Sequence, residues 1–314
     1  MLLLCGQMFA FSTFDSNFGT IIQYIFGKPF GFIHREITLK ALEPLRIGEK
    51  HREKIAYWNW RPDWDETKKW PPKFLPNNCY KPEHHFDRNE ASKEADKQAE
   101  AFLRGAKYVK EQRAIVVAGL KKEQGKDLGD ALQATGRAFH ALQDFFSHSN
   151  VIDLSPREFA AVKKALAEAS APPAELMITG YDIELGGSTE SEPFAHDLNS
   201  KDEPEFNATA GSPLNTGSVF YDANNPGKTK FEAARQAATE HSRQWLENIR
   251  DEVGPGIWAR LSDETIDVKI TDEGCAAGGE PSAGAGMADP WEIWCTLQDS
   301  NLRPPDSKSG TLSS

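Results

Sequence analysis

Apolar residues recur at helical spacing in several stretches of this chain, which predicts a mainly α-helical protein. Near the start, Ile37, Ala41 and Leu45 fall on one side of a helix predicted over residues 34–45. The stretch 90–122 consists largely of strong helix formers in an amphipathic pattern. Further helices are predicted over residues 127–149, 156–170 and 228–253.

Residues typical of helix ends and turns separate these stretches. Asp127 is predicted to cap the helix over 127–149, and Pro156 occupies a favoured first-turn position of the next helix. Residues 57–89 are rich in Pro, Trp, Asn and Asp, which predicts a long irregular segment. Residues 172–228 carry frequent Gly, Pro, Asn and Ser, which predicts a loop layer with short strands at most.

The two ends of the chain differ in composition from the helical domain, which is predicted to span residues 25–262. Residues 1–24 begin with an apolar stretch that has no preceding basic residue and no clear cleavage site. They are predicted to be either a weak signal or a buried segment. Residues 263–314 are of low complexity and lack an apolar period, which predicts a disordered tail. No stretch of the sequence is long and apolar enough to span a bilayer.

Composition narrows the classes of function. The 47 acidic and 36 basic residues among 314 give a net charge of −11, which disfavours non-specific binding to nucleic acid. The four cysteines are scattered without a C-x-x-C pair, so a cysteine zinc site is not expected. Neither a Gly-rich phosphate loop nor a G-x-S-x-G elbow occurs in the sequence, which favours metal chemistry over those alternatives.

The segment GRAFHALQDFFSHSN carries three ionisable groups inside an otherwise apolar helix. His140, Asp144 and His148 recur every four residues, so they form one stripe that drifts by about 40° per step. The rest of the helix is apolar, so the stripe is expected to face the interior. A buried carboxylate needs a cation or several hydrogen-bond donors. A hydrogen-bonded Asp–His pair in the core is one explanation, but it does not account for the second histidine.

Metal binding is the alternative explanation of this stripe. Two ligands four residues apart can share one ion, as in H-E-x-x-H. His140 and His148 are about 12 Å apart along a helix axis, too far to share one ion, so a cluster with an ion at each histidine is expected. Imidazole and carboxylate ligands without thiolate favour zinc over manganese or iron.

Such a cluster needs ligands from elsewhere in the chain. Histidines and aspartates occur in four further strings, FIHREITLKAL, NWRPDWDE, KPEHHFDRNE and FAHDLNSKDEP. They supply His34, Asp63, Asp65, His84, His85, His196, Asp197 and Asp202. Taken singly each is weak evidence, since a loop histidine is usually solvated and an aspartate usually caps a turn.

The order of these strings resembles the zinc-dependent phospholipase C and P1 nuclease superfamily. H-R-x-I, P-D, H-F and H-x-x-x-D follow one another here, and HALQDFFSHSN is closest to the heterokaryon-incompatibility (HET-C) branch, over roughly residues 28–250. The resemblance implies a multi-helix bundle that binds two or three zinc ions. The ligands that it implies are His34, Asp63, His85, His140, Asp144 and His148. It also implies that Asp63 is the general base or positions the attacking water, and it favours His85 over His84.

The sequence departs from the phospholipase C pattern at three places. Only three residues separate Asp144 from His148, where the toxins have five. The amino-terminal Trp ligand of the toxins has no counterpart near the start of this chain, and their downstream H-x-x-x-E motif is missing. His196 is the candidate for the missing ligand.

The resemblance implies hydrolysis of a phosphoester. The acidic balance and the absence of a Lys/Arg stripe favour a phospholipid or small phosphoester over nucleic acid as the substrate, with a membrane surface as a candidate partner. Trp60 and Trp64 flank Asp63 and are candidates to bind a choline group or a base, or to lie at a lipid interface; loop packing is the alternative. A P1-like nuclease and an inactive HET-C-type recognition protein remain open. The resemblance favours export slightly, although the absence of a clear signal peptide leaves a cytoplasmic location open.

Overall fold

The part of the chain that the structure describes is mainly α-helical, which confirms the predicted fold class. The computed structural model describes residues 33–67, 81–88, 94–122, 125–178, 181–182, 187–188, 213–266 and 268, and not the side chains of 63–67 or of the two residue pairs at 181–188. The chain divides into residues 1–277 and 278–314, and every described residue belongs to the first unit.

Eight α-helices follow one another within the described residues. They are α1 (Ile33–Leu42), α2 (Glu49–Thr67), α3 (Pro82–His85), α4 (Ala95–Lys121), α5 (Gly125–Ser147), α6 (Pro156–Glu168), α7 (Lys230–Val253) and α8 (Pro255–Trp258). Short 3₁₀ turns lie at Glu43–Leu45, Asn150–Asp153 and Ala259–Ser262. Two antiparallel strands, β1 (Tyr181–Asp182) and β2 (Gly187–Ser188), pair Tyr181 with Ser188. None of the described helices is long and apolar enough to cross a membrane.

Capping boxes form at the N-terminal ends of two of the predicted helices. Ser155 and Glu158 form a capping box at the start of α6, with Pro156 at the first helical position as predicted. Thr229 and Glu232 form a second capping box at the start of α7. The cap predicted for Asp127 is wrong, because α5 begins two residues earlier. Asp127 lies in the first turn, where its Oδ1 accepts a hydrogen bond from Lys122 Nζ at 2.9 Å.

Residues 57–67, predicted to be irregular, are the second half of helix α2. Ile55, Tyr57 and Trp58 are buried, and α2 packs against α5. Burial of this face outweighs the loss of a backbone hydrogen bond at Pro62, which lies inside the helix. Residues 68–80 of the same predicted segment lie outside the described residues.

Helix α5 is buried along most of its length and packs against α2, α3, α4 and α7. One group of buried apolar residues includes Phe86, Phe102 and Phe145, and a second includes Ile55, Phe139 and Leu246. Because α5 contributes to both groups, side chains on its buried faces, including those of His140 and Asp144, lie inside the protein.

The folded domain continues past Ser262, the end predicted from composition. Val268 is buried in the second apolar group, and its carbonyl accepts a hydrogen bond from Lys54 Nζ at 3.1 Å. Glu264 Oε1 accepts one from the backbone N–H of Lys50 at 3.2 Å. The predicted N-terminal segment 1–24 and the tail beyond Val268 lie outside the described residues.

Candidate metal centre

His140 and Asp144 lie one turn apart on α5 and face each other in the core. The distance from His140 Nε2 to Asp144 Oδ2 is 3.1 Å, and the two side chains are 0% and 1% exposed. The α5 stripe therefore faces the interior, as its apolar surroundings predict. A carboxylate this deeply buried needs partners, and two other helices supply them.

Helix α1 brings His34 to the opposite oxygen of the same carboxylate. His34 Nε2 lies 3.2 Å from Asp144 Oδ1, and the side chain is fully buried. Its ring centroid lies 4.5 Å from that of His140. His34 is the second residue of α1, and the neighbouring Ile33 and Ile37 are buried in the core.

Helix α3 brings His85 to the same cluster. His85 Nδ1 lies 2.9 Å from Asp144 Oδ2 and 3.0 Å from His140 Nε2. The next residue, Phe86, ends α3 in a left-handed conformation with φ 51°. Its ring is fully buried between Phe102 and Phe145. This anchor determines the position of α3 and therefore that of His85.

The N-terminal neighbour of His85 has a different environment. The ring centroid of His84 lies 4.2 Å from that of Tyr108. Of the two adjacent histidines, His85 is thus the one in contact with Asp144. This is the choice that the sequence resemblance implies.

His148 lies at the margin of the cluster, immediately after the end of α5. Its backbone N–H donates to the carbonyl of Asp144 at 2.6 Å. Its Nδ1 lies 2.8 Å from Asp87 Oδ1 and 2.8 Å from the carbonyl oxygen of His85. Its side chain is 13% exposed, whereas those of the other three histidines are 3% exposed or less.

Gln143 orients His34 from a position that sequence reasoning did not single out. Gln143 Oε1 lies 2.8 Å from His34 Nδ1, while its Nε2 donates to Thr38 Oγ1 at 3.1 Å. His34 Nδ1 is then the donor, and its Nε2 faces Asp144 Oδ1. A cation, either a proton or a metal ion, is required at this contact because two lone pairs would otherwise face each other.

The protonation states of the centre suit a metal ion. Burial lowers the pKa of His140 to about 3, despite the attraction of Asp144. Burial opposes ionisation of Asp144, but attraction from His140 and His148 and hydrogen bonds from His140 and His34 hold its pKa well below its usual range. Burial thus favours a neutral imidazole at His140, and the partners of Asp144 favour its carboxylate; these are the forms that ligate metals.

Ligand atoms of His34, His140 and Asp144 all lie within 4.8 Å of one another, so this buried group can hold a metal ion. The hydrogen-bonding contacts of His85 with Asp144 and His140 place a third imidazole beside it. Three imidazoles around one carboxylate form a ligand set that a divalent metal ion accepts.

Of the remaining predicted site residues, Trp60 is the one whose side chain is described. Asp63 and Trp64 belong to α2, but their side chains lie outside the described residues, as does the whole of His196. Trp60 is half-buried, with its ring centroid 6.1 Å from that of Tyr57.

Sequence reasoning missed Asp87 and Gln143. Gln143 follows His140 by three positions on a helix, a spacing that places it on nearly the same face. Asp87 follows HHF directly, but its contact with His148 depends on how α3 packs against the end of α5, which no local pattern indicates.

Comparison with family models, curated proteins and solved structures finds no match to this chain. The fold and the centre together define a mainly α-helical protein with a buried histidine–aspartate cluster that can hold a metal ion.

Proposed function

We propose that this protein is a zinc-dependent phosphoester hydrolase, with phospholipase C-type cleavage of a phospholipid as the favoured reaction. One observation carries the proposal. Imidazole nitrogens of His34, His85 and His140, from three different helices, lie within 3.2 Å of the carboxylate oxygens of Asp144.

The convergence of these side chains is difficult to explain by core packing alone. Each histidine could be replaced by an apolar residue if only volume mattered, and burying polar groups costs free energy unless they are bonded. One carboxylate neutralises only one imidazolium. A divalent ion satisfies several neutral imidazoles and the carboxylate together, which is why metal sites collect such residues in buried positions.

His34, His140 and Asp144 would hold one zinc ion, with His85 beside them. His148 would serve a second ion, consistent with the predicted two or three. A bound zinc ion would supply Lewis-acid polarisation of a phosphoryl oxygen and activation of a water molecule. Gln143 holds the His34 ring with Nε2 directed at the centre. Asp63 is proposed to position the attacking water, on the strength of the sequence resemblance.

The proposed substrate class rests on the sequence resemblance and the net charge of the chain, not on the geometry of the cluster. It is supported by the resemblance of HALQDFFSHSN to the phospholipase C and P1 nuclease superfamily and by the net charge of −11, which disfavours a polyanionic substrate. A phospholipid at a membrane surface, or a small phosphoester, is therefore favoured over single-stranded nucleic acid. Trp60 and Trp64 are proposed to contact it.

A second candidate function is favoured by the burial of the cluster. His34, His140 and Asp144 are at most 1% exposed, as is usual for structural metal sites that substrates do not reach. In this alternative, a metal ion stabilises a recognition protein of the HET-C type, which has no hydrolytic activity.

Metal content and hydrolysis of the purified protein separate these functions. Zinc is quantified in the protein as isolated. Hydrolysis is measured as phosphocholine release from phosphatidylcholine vesicles and as nucleotide release from single-stranded DNA. Asp144→Asn is the test variant. Asp130→Asn is the matched control, because Asp130 lies on the same helix but lines a surface groove with Lys126 and Arg137.

The proposal expects bound zinc and phosphocholine release in the wild type and the control, and loss of both in Asp144→Asn. Release from DNA alone would establish a nuclease instead. Zinc without turnover of either substrate would establish the structural role. Protein that is metal-free and takes up no added zinc would overturn all three functions: the phospholipase, the nuclease and the structural metal site.

A further inference from the structure

Asp87 and His148 form a pair at the exposed margin of the buried cluster. Asp87 Oδ1 lies 2.8 Å from His148 Nδ1, and the Asp87 side chain is only 5% exposed. The two residues come from different parts of the chain, one after α3 and the other after α5. The resemblance to a known family assigns no role to Asp87.

The geometry identifies which nitrogen of His148 carries the proton. The same Nδ1 atom lies 2.8 Å from the carbonyl oxygen of His85. A carboxylate and a carbonyl are both acceptors, so a nitrogen in contact with both is an N–H donor. In the neutral ring, Nε2 then bears the lone pair and is the nitrogen that can coordinate a metal ion.

The backbone around Asp87 is held on several sides. Its N–H donates to the carbonyl of Pro82 at 3.0 Å, and its carbonyl accepts a bond from Arg104 Nη2 at 3.4 Å. Phe86 before it is buried in the core, and Arg88 Nε after it donates to the Ile178 carbonyl at 2.7 Å. The backbone that carries the Asp87 carboxylate is therefore fixed by the fold, independently of His148.

We propose that Asp87 is a positioning residue that selects the Nδ1–H tautomer of His148 and thereby directs its Nε2 to act as a metal ligand. Pairs of this kind orient histidine ligands and increase their basicity, and their loss typically weakens metal affinity about 10–100-fold. The ligand role of His148 rests on the proposed function, whereas the tautomer selected by Asp87 does not.

The experiment uses the full chain labelled with ¹⁵N in its histidines. In metal-free protein at mildly alkaline pH, long-range ¹H–¹⁵N correlation spectra distinguish the protonated from the lone-pair nitrogen of His148. Zinc affinity is then measured by competition with a chelator. The variants are Asp87→Asn, which removes the charge at nearly constant volume, and Asp87→Glu, which restores a carboxylate. Asp127→Asn is the control, about 30 Å from His148 along α5.

We expect the Nδ1–H form in the wild type, a lower share of it in Asp87→Asn, and recovery in Asp87→Glu. Zinc affinity should fall about 10–100-fold in Asp87→Asn and be unchanged in Asp127→Asn. A wild-type spectrum showing the Nε2–H form, or an unchanged tautomer in Asp87→Asn, would overturn the proposal. If Asp87→Asn does not fold, Asp87→Glu serves as the test variant, and a wild-type spectrum in the Nε2–H form would still overturn the proposal. A protein that binds no zinc refutes the proposed function, while the spectrum continues to test Asp87.

Discussion

His85 Nδ1 lies 2.9 Å from Asp144 Oδ2, although 59 positions separate the two residues in the chain. The contact joins the short helix α3 to the last turn of α5, and it brings a third imidazole to a carboxylate already in contact with His34 and His140.

The adjacent histidines of α3 allow a matched test of this contact. His85→Ala should weaken zinc affinity by more than the roughly 10–100-fold typical of outer-shell changes, because it removes a ring from the cluster itself. His84→Ala removes a ring that contacts Tyr108 and should leave affinity within a few-fold of the wild type. Chelator competition measures both. Equal affinities in the two variants would exclude His85 from the centre.

Replacement of Gln143 should destabilise the protein even without metal. Gln143→Met retains the volume but leaves the buried His34 Nδ1–H without the acceptor at 2.8 Å, which costs about 1–3 kcal/mol. Gln133→Met, at a half-buried position on the same helix, is the control and should be nearly neutral. Urea unfolding of metal-free protein gives both values, and similar losses in the two variants would contradict this role of Gln143.

Gly136 allows α2 and α5 to approach closely, one turn before His140. A Cβ at position 136 would lie 2.5 Å from the Ile55 carbonyl oxygen and 2.6 Å from Trp58 Cβ. Backbone atoms cannot move aside easily. Gly136→Ala should therefore lower the free energy of unfolding by about 1–3 kcal/mol, despite the better helix propensity of alanine.

Gly256→Ala in α8 is the matched helical control, because nothing lies within 4 Å of a Cβ there. It should be neutral or slightly stabilising. Thermal unfolding checks both variants, and a Gly136→Ala protein as stable as the wild type would show that the two helices are not in close contact.

His241 should make the protein sensitive to acid. Burial, aided by Lys163, lowers its pKa from 6.5 to about 4. The unfolded chain takes up a proton near pH 6.5 that the folded state resists until about pH 4. Above pH 6.5, where His241 is neutral in both states, the free energy of unfolding has its full value. As the pH falls from 6.5 toward 4, this free energy decreases by up to about 3 kcal/mol.

His241→Phe should remove this dependence, because a phenyl ring keeps the packing against Phe146 and Phe159 without titrating. Lys163→Met retains the histidine and its burial, so most of the dependence should persist. Denaturant unfolding at several pH values between 4 and 7 measures the slopes. Parallel slopes for the wild type and His241→Phe would refute the assignment.

Local patterns predicted the helices whose apolar period is regular. Helices α1, α4, α5, α6 and α7 lie where the spacing places them, because one face of each must be buried. The same pattern failed for α2, where Pro62 and polar residues obscure the period and burial against α5 decides the conformation. Helical spacing also indicated that His140 and Asp144 share a face, since that relationship depends only on the geometry of one helix.

The companions of Asp144 required the three-dimensional fold. His34 and His85 reach it because α1 and α3 pack against the same side of α5, and the selection of His85 over His84 depends on how Phe86 anchors α3 in the core. Gln143 and Asp87 acquire their roles in the same way. Periodicity constrains neighbours along a helix, whereas contacts between distant segments depend on the packing of side chains from the whole domain, and that packing built this centre.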